Sequence, residues 1–384
     1  MVVLENMDTV LFFWYRIVGA FFRLFPIKNN CIVFENFLGK GYGDNPKYIA
    51  DEILRNYKTD FNIVWLIKGT KFSDMPEQIK QVKRGTLKEL YYLSTAKVWI
   101  DNFRKHYGVK KRKGQFYIQT WHGGFPLKKI EKDALSVLSK TYIKSAINDS
   151  KMIDLLLISS KKIEKIFLDA FWYNGKVLEV GSPRTDVFFK HCNIRLIKES
   201  MGLNPETHII LYAPTFRENN DLTAYNLSYE QILKNFIMKN GGTWKIIIRL
   251  HPNISYLQKN IKYNENILNG SNFSDINKLI KLCDVLITDY SSCMFDAMFA
   301  KKRVLLYVPD VEKYMLDRGL YLKLEDLPFP KSKNMSELLD AIDSFDENDF
   351  NNRVSKFLKD IGSFETGCAS KKVVEKIIEI IKKN

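Results

Sequence analysis

Cysteine is scarce in this sequence, and the few cysteines present are not paired. The 384 residues include only Cys31, Cys192, Cys283, Cys293 and Cys368, and no CxxC pair occurs. A disulfide framework and a cysteine-based zinc site both need cysteines at regular or close spacing, so the scattered positions of these cysteines argue against both. Unpaired cysteines are typical of proteins in a reducing compartment. Histidine is equally rare, with 5 in the chain, so each histidine is weighed individually for a functional role.

The sequence also lacks an apolar run long enough to cross a membrane. Its strongest run, residues 10–25, carries Arg16 and Arg23 and is followed by Pro26, whereas a spanning helix needs about 20 apolar residues. The two arginines fall on one helical face, and no signal-peptide cleavage site follows. We therefore expect an amphipathic helix lying in the membrane surface. A helix packed on the protein's own core is the alternative.

Acidic residues are outnumbered, with 44 Asp and Glu against 59 Lys and Arg, for a net charge of +15. This balance indicates an anionic partner, which is a nucleic acid, a membrane surface or a phosphorylated substrate. One loop is densely basic, and it is either a solvated face or a site for anionic lipid. Because no zinc finger or RNA-binding aromatic motif accompanies it, we expect no nucleic-acid partner. Its basic residues are Arg104, Lys105, Lys110, Lys111, Arg112 and Lys113.

Chain length and a 46% apolar share favour two domains with buried cores. No solenoid repeat or low-complexity tract is present. β-branched and aromatic runs alternate with amphipathic segments in both halves, which predicts an α/β fold with two parallel, doubly wound sheets. We predict strands at 31–35, 61–67, 97–101, 116–121, 155–159, 176–180, 209–213, 244–250, 284–288 and 303–308, and helices at 45–57, 229–238, 276–282 and about 352–383.

His122 follows the predicted strand at 116–121 and is flanked on its far side by Gly123 and Gly124. Open α/β sheets bind ligands at the carboxyl ends of their strands, and the ordinary pKa of histidine, about 6.5, suits proton transfer near neutrality. His122 is therefore a candidate base. The alternative is a histidine capped in a turn, with the glycines present only for their backbone freedom.

Three loops in the second half also follow predicted strands, so we expect them to converge on one rim of the sheet. They supply cationic, imidazole and hydroxyl groups, and the third begins a helix whose N-terminus favours anions. Ser291 has an alternative reading as a helix N-cap. The candidate residues are Thr215, Arg217, Arg249, His251, Ser291, Ser292 and Asp296.

These motifs resemble the CDP-glycerol glycerophosphotransferase family, the teichoic-acid glycerol-phosphate primases and polymerases. The matching pieces run in the family's order over about residues 30–320. One departure is Phe125, which stands between Gly124 and Pro126 where we expect Gly-Thr-Pro; we expect it to alter acceptor choice. The pieces are 41–48 (GYGDNPKY), 119–129 (QTWHGGFPLKK), 212–217 (YAPTFR), 249–252 (RLHP) and 288–292 (TDYSS) with Phe295 and Asp296.

The resemblance implies a GT-B-like architecture, with two Rossmann-like doubly wound domains facing a cleft. It implies transfer of glycerol phosphate from CDP-glycerol to a hydroxyl of an undecaprenyl-diphosphate-linked acceptor. The enzyme would act peripherally at the cytoplasmic face of the bacterial cell membrane, an anionic surface. The expected parts are a membrane-surface helix at 1–26, an acceptor domain at 27–190, a CDP-donor domain at 191–350 and a C-terminal helix at 351–384.

The resemblance also implies residue roles. His122 would be the general base, and His251 would share the catalytic site. Asp296 would bind the ribose, and no metal or cofactor is expected. Donor phosphates would be bound by Arg249, Ser291, Ser292, Thr215 and Arg217, and the acceptor side would be shaped by Asp44, Asn45, Lys128 and Lys129.

Three matters stay open at this point. The polymerases we associate with the family carry a large extra N-terminal region, so this length favours a primase-like enzyme adding one unit, or a compact polymerase, over a long-chain polymerase. Ribitol-phosphate and capsule polyol-phosphate transferases share the motifs. A GT-B glycosyltransferase using a nucleotide sugar, or a binding protein that keeps an inactive fold, are the remaining alternatives.

Overall fold

The computed structural model describes residues 2–57, 60–122, 125–215, 217, 227–250, 252–271, 273 and 275–382. The chain forms an α/β protein with two parallel sheets, as predicted. It divides into two compact units. Unit 1 comprises Met1–His122, Ile130–Asp186 and Gly362–Asn384, and unit 2 comprises Gly123–Lys129 and Val187–Ile361.

Unit 1 is built on a seven-stranded parallel sheet in the order β3-β2-β1-β4-β5-β6-β7. The central strands are apolar and buried along most of their length, which is typical of a parallel sheet covered on both faces. The C-terminal helix Ala369–Lys382 covers part of this core through Val373, Val374 and Ile377. The strands are β1 Lys28–Glu35, β2 Asn62–Ile67, β3 Lys80–Lys83, β4 Ala96–Asp101, β5 Phe116–Gln119, β6 Leu155–Ile158 and β7 Lys176–Glu179.

Unit 2 contains a six-stranded parallel sheet in the order β10-β9-β8-β11-β12-β13. With its strands counted from one, this is the order 3-2-1-4-5-6 of a Rossmann fold, and such sheets place ligands at the carboxyl ends of their strands. The strands are β8 His208–Tyr212, β9 Trp244–Ile248, β10 Ile267–Asn269, β11 Val285–Thr288, β12 Arg303–Tyr307 and β13 Lys331–Ser332.

Helices connect the strands. The described part of the chain has α1 Val2–Phe13, a π-helical segment Trp14–Val18, α2 Gly19–Phe22, α3 Asp44–Asn56, α4 Leu87–Thr95, α5 Lys140–Ser150, α6 Lys161–Ala170, α7 Asp186–Phe189, α8 Ile194–Ser200, α9 Tyr229–Asn240, α10 Ile276–Leu282, α11 Cys293–Phe299, α12 Val311–Arg318, α13 Met335–Asp343, α14 Glu347–Ile361 and α15 Ala369–Lys382. Short 3-10 turns lie at Glu131–Val137, Pro183–Thr185, Pro252–Asn260 and Leu324–Asp326.

Three strands, β3, β10 and β13, were not predicted from the sequence. Each is short and lies at an edge of its sheet, β3 in unit 1 and β10 and β13 in unit 2. Edge strands pair on one side only and need no continuous apolar run. Their sequences therefore carry little of the β signal on which the other predictions rest.

The predicted single C-terminal helix over about 352–383 is wrong, because α14 and α15 are separate helices. Gly362 follows α14 with a left-handed φ of +62°, a conformation that ends helices and favours glycine. The two carboxylate oxygens of Asp186 then accept hydrogen bonds from the N–H groups of Ala369 (2.9 Å) and Ser370 (2.7 Å) at the start of α15. These bonds fix α15 to unit 1.

The N-terminal helical segment, α1 to α2, packs one face on unit 1. Tyr15 is 6% exposed, and its hydroxyl donates to Glu89 Oε1 at 3.0 Å. The guanidinium of Arg16 donates to the carbonyl oxygen of Tyr107, and that of Arg23 donates to the carbonyl oxygen of Arg16. Within the described residues, no helix is long and apolar enough to span a membrane.

The basic loop is only partly a surface feature. Arg104 is buried and forms ion pairs with Glu131 (3.0 Å) and Asp149 (3.2 Å). Lys105 is buried between Glu35 and Asp101. Burial of a charge is tolerated only with such partners, so these two residues stabilise the interior, contrary to the expectation of one exposed loop. Lys110 and Lys113 are exposed.

Candidate active site

His122 lies in unit 1, at the carboxyl edge of the sheet just after β5. Its Nδ1 is 2.8 Å from the backbone carbonyl oxygen of Asn102, which follows β4. A carbonyl oxygen only accepts, so in the neutral ring Nδ1 carries the proton and Nε2 is left with the lone pair. The structure therefore holds the imidazole as a base whose accepting atom is Nε2.

Three aromatic rings surround this imidazole. The ring centroids of Phe37, Phe103 and Trp121 lie 4.9, 5.7 and 4.4 Å from that of His122. Burial among them lowers the pKa of His122 from its ordinary value, because the charged form loses hydration. The ring is consequently neutral at pH 7, the state that a general base requires.

Asn45, predicted on the acceptor side, is a buried connector at the same edge. It is 1% exposed, and its amide nitrogen donates to the carbonyl oxygens of Thr120 (3.2 Å) and Trp121 (3.1 Å). Its amide oxygen accepts from the backbone N–H of Arg184 at 3.0 Å. Asn45 therefore joins α3, the His122 loop and the turn after β7.

Asp44, also predicted on the acceptor side, forms an ion pair of 2.7 Å with Arg184, and both side chains are largely buried. Arg184 was not predicted. It follows the strand expected at 176–180, so its position after a strand end is a signal of the same kind as that of His122. Asn102 was missed because it acts through its main-chain oxygen, for which side-chain chemistry gives no signal.

Unit 2 holds the remaining candidate residues that the structure describes. Ser291 and Ser292 are half-buried at the start of α11. Ser292 takes the N-cap position without a capping hydrogen bond from its side chain within the described residues, and Ser291 Oγ accepts from the N–H of Cys293 at 3.4 Å. Asp296 is fully buried in the first turn. Arg249 is half-buried and donates to the carbonyl oxygen of Phe273.

Thr215 and Arg217 are engaged by carboxylates. The hydroxyl of Thr215 donates to Asp289 Oδ2 at 2.9 Å. The guanidinium of Arg217 pairs with Asp289 at 2.8 Å and with Asp310 at 2.7 Å. It also lies over the stacked rings of Tyr290 and Tyr314. These contacts fix the β8 loop to the β11 loop at the carboxyl edge.

Lys128 and Lys129 belong to unit 2, whereas Asp44 and Asn45 belong to unit 1. The ammonium of Lys128 lies 5.1 Å from the ring centroid of Tyr314, and the N–H of Lys129 donates to the carbonyl oxygen of Gly319. The structure therefore divides the four predicted acceptor-side residues between two units. His251, Gly123 and Gly124 lie outside the described residues.

Comparison with known proteins decides the family. A family model described as CDP-Glycerol:Poly(glycerophosphate) glycerophosphotransferase matches residues 17–379. The chain belongs to this family. It is thus a transferase of the CDP-glycerol glycerophosphotransferase class, acting in teichoic-acid biosynthesis, as the resemblance implied.

Two relatives are similar to this enzyme over nearly their full length. A teichoic acid poly(glycerol phosphate) polymerase of Bacillus spizizenii is 32% identical over 95% of this chain and 96% of its own length. A teichoic acid glycerol-phosphate transferase of Staphylococcus aureus is 29% identical over 95% of this chain and 97% of its own length. A protein named as a polymerase and one named as a transferase therefore match nearly the same share of this chain. Chain length does not distinguish these two activities.

A solved structure of the wall teichoic acid polymerase TagF shares the fold. It is 27% identical to this enzyme and covers 99% of this chain and 97% of that chain, with a TM-score of 0.84. The two parallel α/β sheets are thus those of a GT-B-like enzyme.

Proposed function

We propose that this enzyme transfers glycerol phosphate from CDP-glycerol to a hydroxyl of an undecaprenyl-diphosphate-linked acceptor and releases CMP. One observation carries the proposal: Nδ1 of His122 is hydrogen-bonded to the Asn102 carbonyl oxygen, which leaves Nε2 as the accepting atom. Burial lowers the pKa of the ring and so favours its neutral form. Such a group at the carboxyl edge of a parallel sheet is suited to take a proton from an attacking hydroxyl.

The reaction proceeds by displacement at the β-phosphorus of the donor. The acceptor oxygen forms a bond to that phosphorus while its proton moves to Nε2 of His122. The bond from phosphorus to the oxygen of CMP breaks, and CMP leaves with the electron pair. General base catalysis of this kind contributes about 10²- to 10⁴-fold.

The donor side of the proposal lies in unit 2. Arg249, Ser291 and Ser292 bind the donor phosphates and stabilise the charge that grows on CMP, because positioned donors are most effective where charge develops. Asp296 binds the ribose, and His251 contributes to the donor side. The contacts of Thr215 and Arg217 with Asp289 favour a role in holding this loop in place.

The acceptor side includes Asp44 and Asn45 beside the His122 loop. We propose primase-like addition of one unit, supported by the similarity over nearly its full length to a relative named as a glycerol-phosphate transferase rather than as a polymerase. Chain growth is the second candidate, favoured by the 32% identity to a polymerase of nearly the same extent. Mass spectrometry of products at a high ratio of CDP-glycerol to acceptor distinguishes them: one added unit supports the first, and a ladder supports the second.

We further propose that the enzyme lies peripherally on the cytoplasmic face of the bacterial membrane through the N-terminal helical segment. Its outer face carries a continuous apolar stripe, spaced three or four residues apart, that remains exposed while the inner face packs on unit 1. Basic Lys110 and Lys113 of the same unit are also exposed, which suits an anionic bilayer. The stripe consists of Val10 (67% exposed), Phe13 (52%), Ile17 (63%), Phe21 (60%) and Leu24 (81%).

Flotation with vesicles containing phosphatidylglycerol tests the membrane role. The triple variant Phe13→Asp, Ile17→Asp, Phe21→Asp is expected to stay with the unbound protein, since three charges in the stripe oppose insertion. The matched control is Met238→Asp, on α9 and 77% exposed, which is expected to float like the unmodified enzyme. Equal flotation of the triple variant would refute the role of this stripe.

A donor screen tests the reaction. CDP-glycerol, CDP-ribitol and UDP-sugars are each supplied with an undecaprenyl-linked acceptor, and CMP or UDP release is measured together with product mass. We expect CMP release and a mass increase of one glycerol phosphate with CDP-glycerol. Turnover restricted to CDP-ribitol would assign a ribitol-phosphate transferase, and turnover restricted to a UDP-sugar would reject phosphate transfer altogether.

A further inference from the structure

Unit 1 contains a largely buried ion pair between Arg184, to which the reaction described above gives no role, and Asp44, which it places on the acceptor side. Arg184 lies in the 3-10 turn Pro183–Thr185 after β7, and its Nη1 is 2.7 Å from Asp44 Oδ2. The two side chains are 9% and 7% exposed. Charges removed from water to this extent interact strongly with neighbouring titratable groups.

The pair is fixed in place relative to the His122 loop. Asn45 binds the backbone N–H of Arg184 through its amide oxygen and the carbonyl oxygens of Thr120 and Trp121 through its amide nitrogen. Trp121 directly precedes His122. A shift of the ion pair away from the imidazole would therefore break hydrogen bonds of a buried amide and leave buried polar groups unsatisfied, which is unfavourable.

Asp44 is held in a conformation that few non-glycine residues adopt. Its φ is +54°, in the left-handed region, which is unfavourable for such residues and persists where the surroundings impose it. Its Oδ1 accepts from the N–H of Asn45 at 2.7 Å, while Oδ2 faces Arg184. The strained backbone at the first residue of α3 thus places the Asp44 carboxylate against the Arg184 guanidinium.

Three charged groups act on His122 from the elements around it. They are Asp44 from α3, Arg184 from the turn after β7, and Glu131 from the turn Glu131–Val137. Glu131 is itself neutralised by Arg104, at 3.0 Å, and Arg104 lies over the ring of Trp121. The electrostatic effect of the surrounding charges on the imidazole therefore depends mainly on the opposite charges of Asp44 and Arg184.

We propose that Asp44 and Arg184 are positioning residues that set the protonation state of His122. The Arg184 guanidinium opposes formation of an imidazolium cation, and the Asp44 carboxylate limits that opposition. The ring therefore stays neutral before substrate binds and still accepts a proton during the reaction. This inference rests on the proposed role of His122 as the base.

The test uses variants of the enzyme that each lack one charge of the pair. The two removals are expected to shift the acid limb of kcat/KM in opposite directions. Arg184→Met leaves Asp44 uncompensated and is expected to move the acid limb of kcat/KM up by about one pH unit. Asp44→Asn removes the carboxylate that pairs with Arg184 and is expected to move the limb down by a similar amount. The double variant is expected to return towards the unmodified profile. Arg184→Lys keeps the charge and should keep the limb in place even where kcat falls.

The control is Arg55→Gln, which breaks a surface ion pair with Glu52 on the same helix as Asp44 and should leave the limb unchanged. Shifts of the two single variants in the same direction would overturn the proposal. So would kcat losses with no shift in either the acid limb or the titration of His122, which would leave the pair a structural one. If Arg184→Met does not fold, Asp44→Asn and Arg184→Lys decide the matter.

A second readout separates this inference from the proposed function. The enzyme has 5 histidines, so NMR of ¹³C-labelled histidine, with His122→Ala to assign the signal, gives the titration of His122 directly. If the midpoint moves in opposite directions in the two variants but the acid limb does not follow it, the charge balance stands and His122 is not the base. If the midpoint does not move, the inference itself is wrong.

Discussion

The imidazole Nδ1 of His122 and the backbone carbonyl oxygen of Asn102 lie 2.8 Å apart. This bond joins the loop after β5 to the loop after β4, two neighbouring strands of the unit 1 sheet. It fixes both the orientation and the tautomer of the ring, since only Nδ1–H can donate to a carbonyl.

Loss of the imidazole should remove activity without loss of the fold. For His122→Ala we expect kcat to fall by about 10²- to 10⁴-fold, the usual contribution of a general base, with an unchanged circular dichroism spectrum. The control is His191→Ala, because His191 is exposed, and it should keep full activity. Turnover by His122→Ala at the unmodified rate would exclude His122 from proton transfer.

The pH dependence of kcat/KM should reflect the partly buried environment of His122. Burial lowers the pKa of the ring, and the base works only when deprotonated. Activity should therefore be constant near pH 7 and fall on acidification, with the acid limb centred below the ordinary value of about 6.5. The rate measured from pH 4.5 to 8 checks this, and a limb centred above 6.5 would contradict it.

Glu365 should make unit 1 less stable as the pH rises. Burial raises its pKa from 4.5 to about 7, so between these values the folded state holds a proton that the unfolded state has released. The contribution of this group is present at pH 4.5 and is lost as the pH passes 7, by at most about 3 kcal/mol.

Urea unfolding at pH 5 and pH 8 measures this contribution. Glu365→Gln should lose less stability between the two values than the unmodified enzyme does, because glutamine does not titrate. Glu347→Gln, which alters a carboxylate exposed beside Arg303, is the control and should keep the unmodified difference. An equal pH dependence in Glu365→Gln would show that Glu365 does not hold the proton.

Arg217 should stabilise unit 2 through its two carboxylate partners. Arg217→Ala leaves the buried Asp289 without its cation, and breaking a buried pair costs about 3–5 kcal/mol. Arg303→Ala breaks a pair that is partly exposed on both sides and should cost no more than about 1 kcal/mol. Thermal unfolding compares the two, and similar midpoints would contradict the buried role of Arg217.

The sequence by itself determined the long central strands, the helices Tyr229–Asn240 and Ile276–Leu282, and the location of His122 after a strand. These features follow from local periodicity and from the rule that ligands meet strand ends. The break at Gly362 was readable in principle, since glycine commonly ends helices, yet the apolar pattern of 352–383 concealed it.

Only the tertiary structure decided which side chains meet. The pairing of Asp44 with Arg184, and of Arg217 with Asp289 and Asp310, joins residues that are 140, 72 and 93 positions apart. The bond from His122 ends on a main-chain oxygen, which every residue type offers alike. Composition and spacing determine that polar groups gather at strand ends, but the choice of partner depends on how distant strands are ordered in the sheet, and no local pattern records that order.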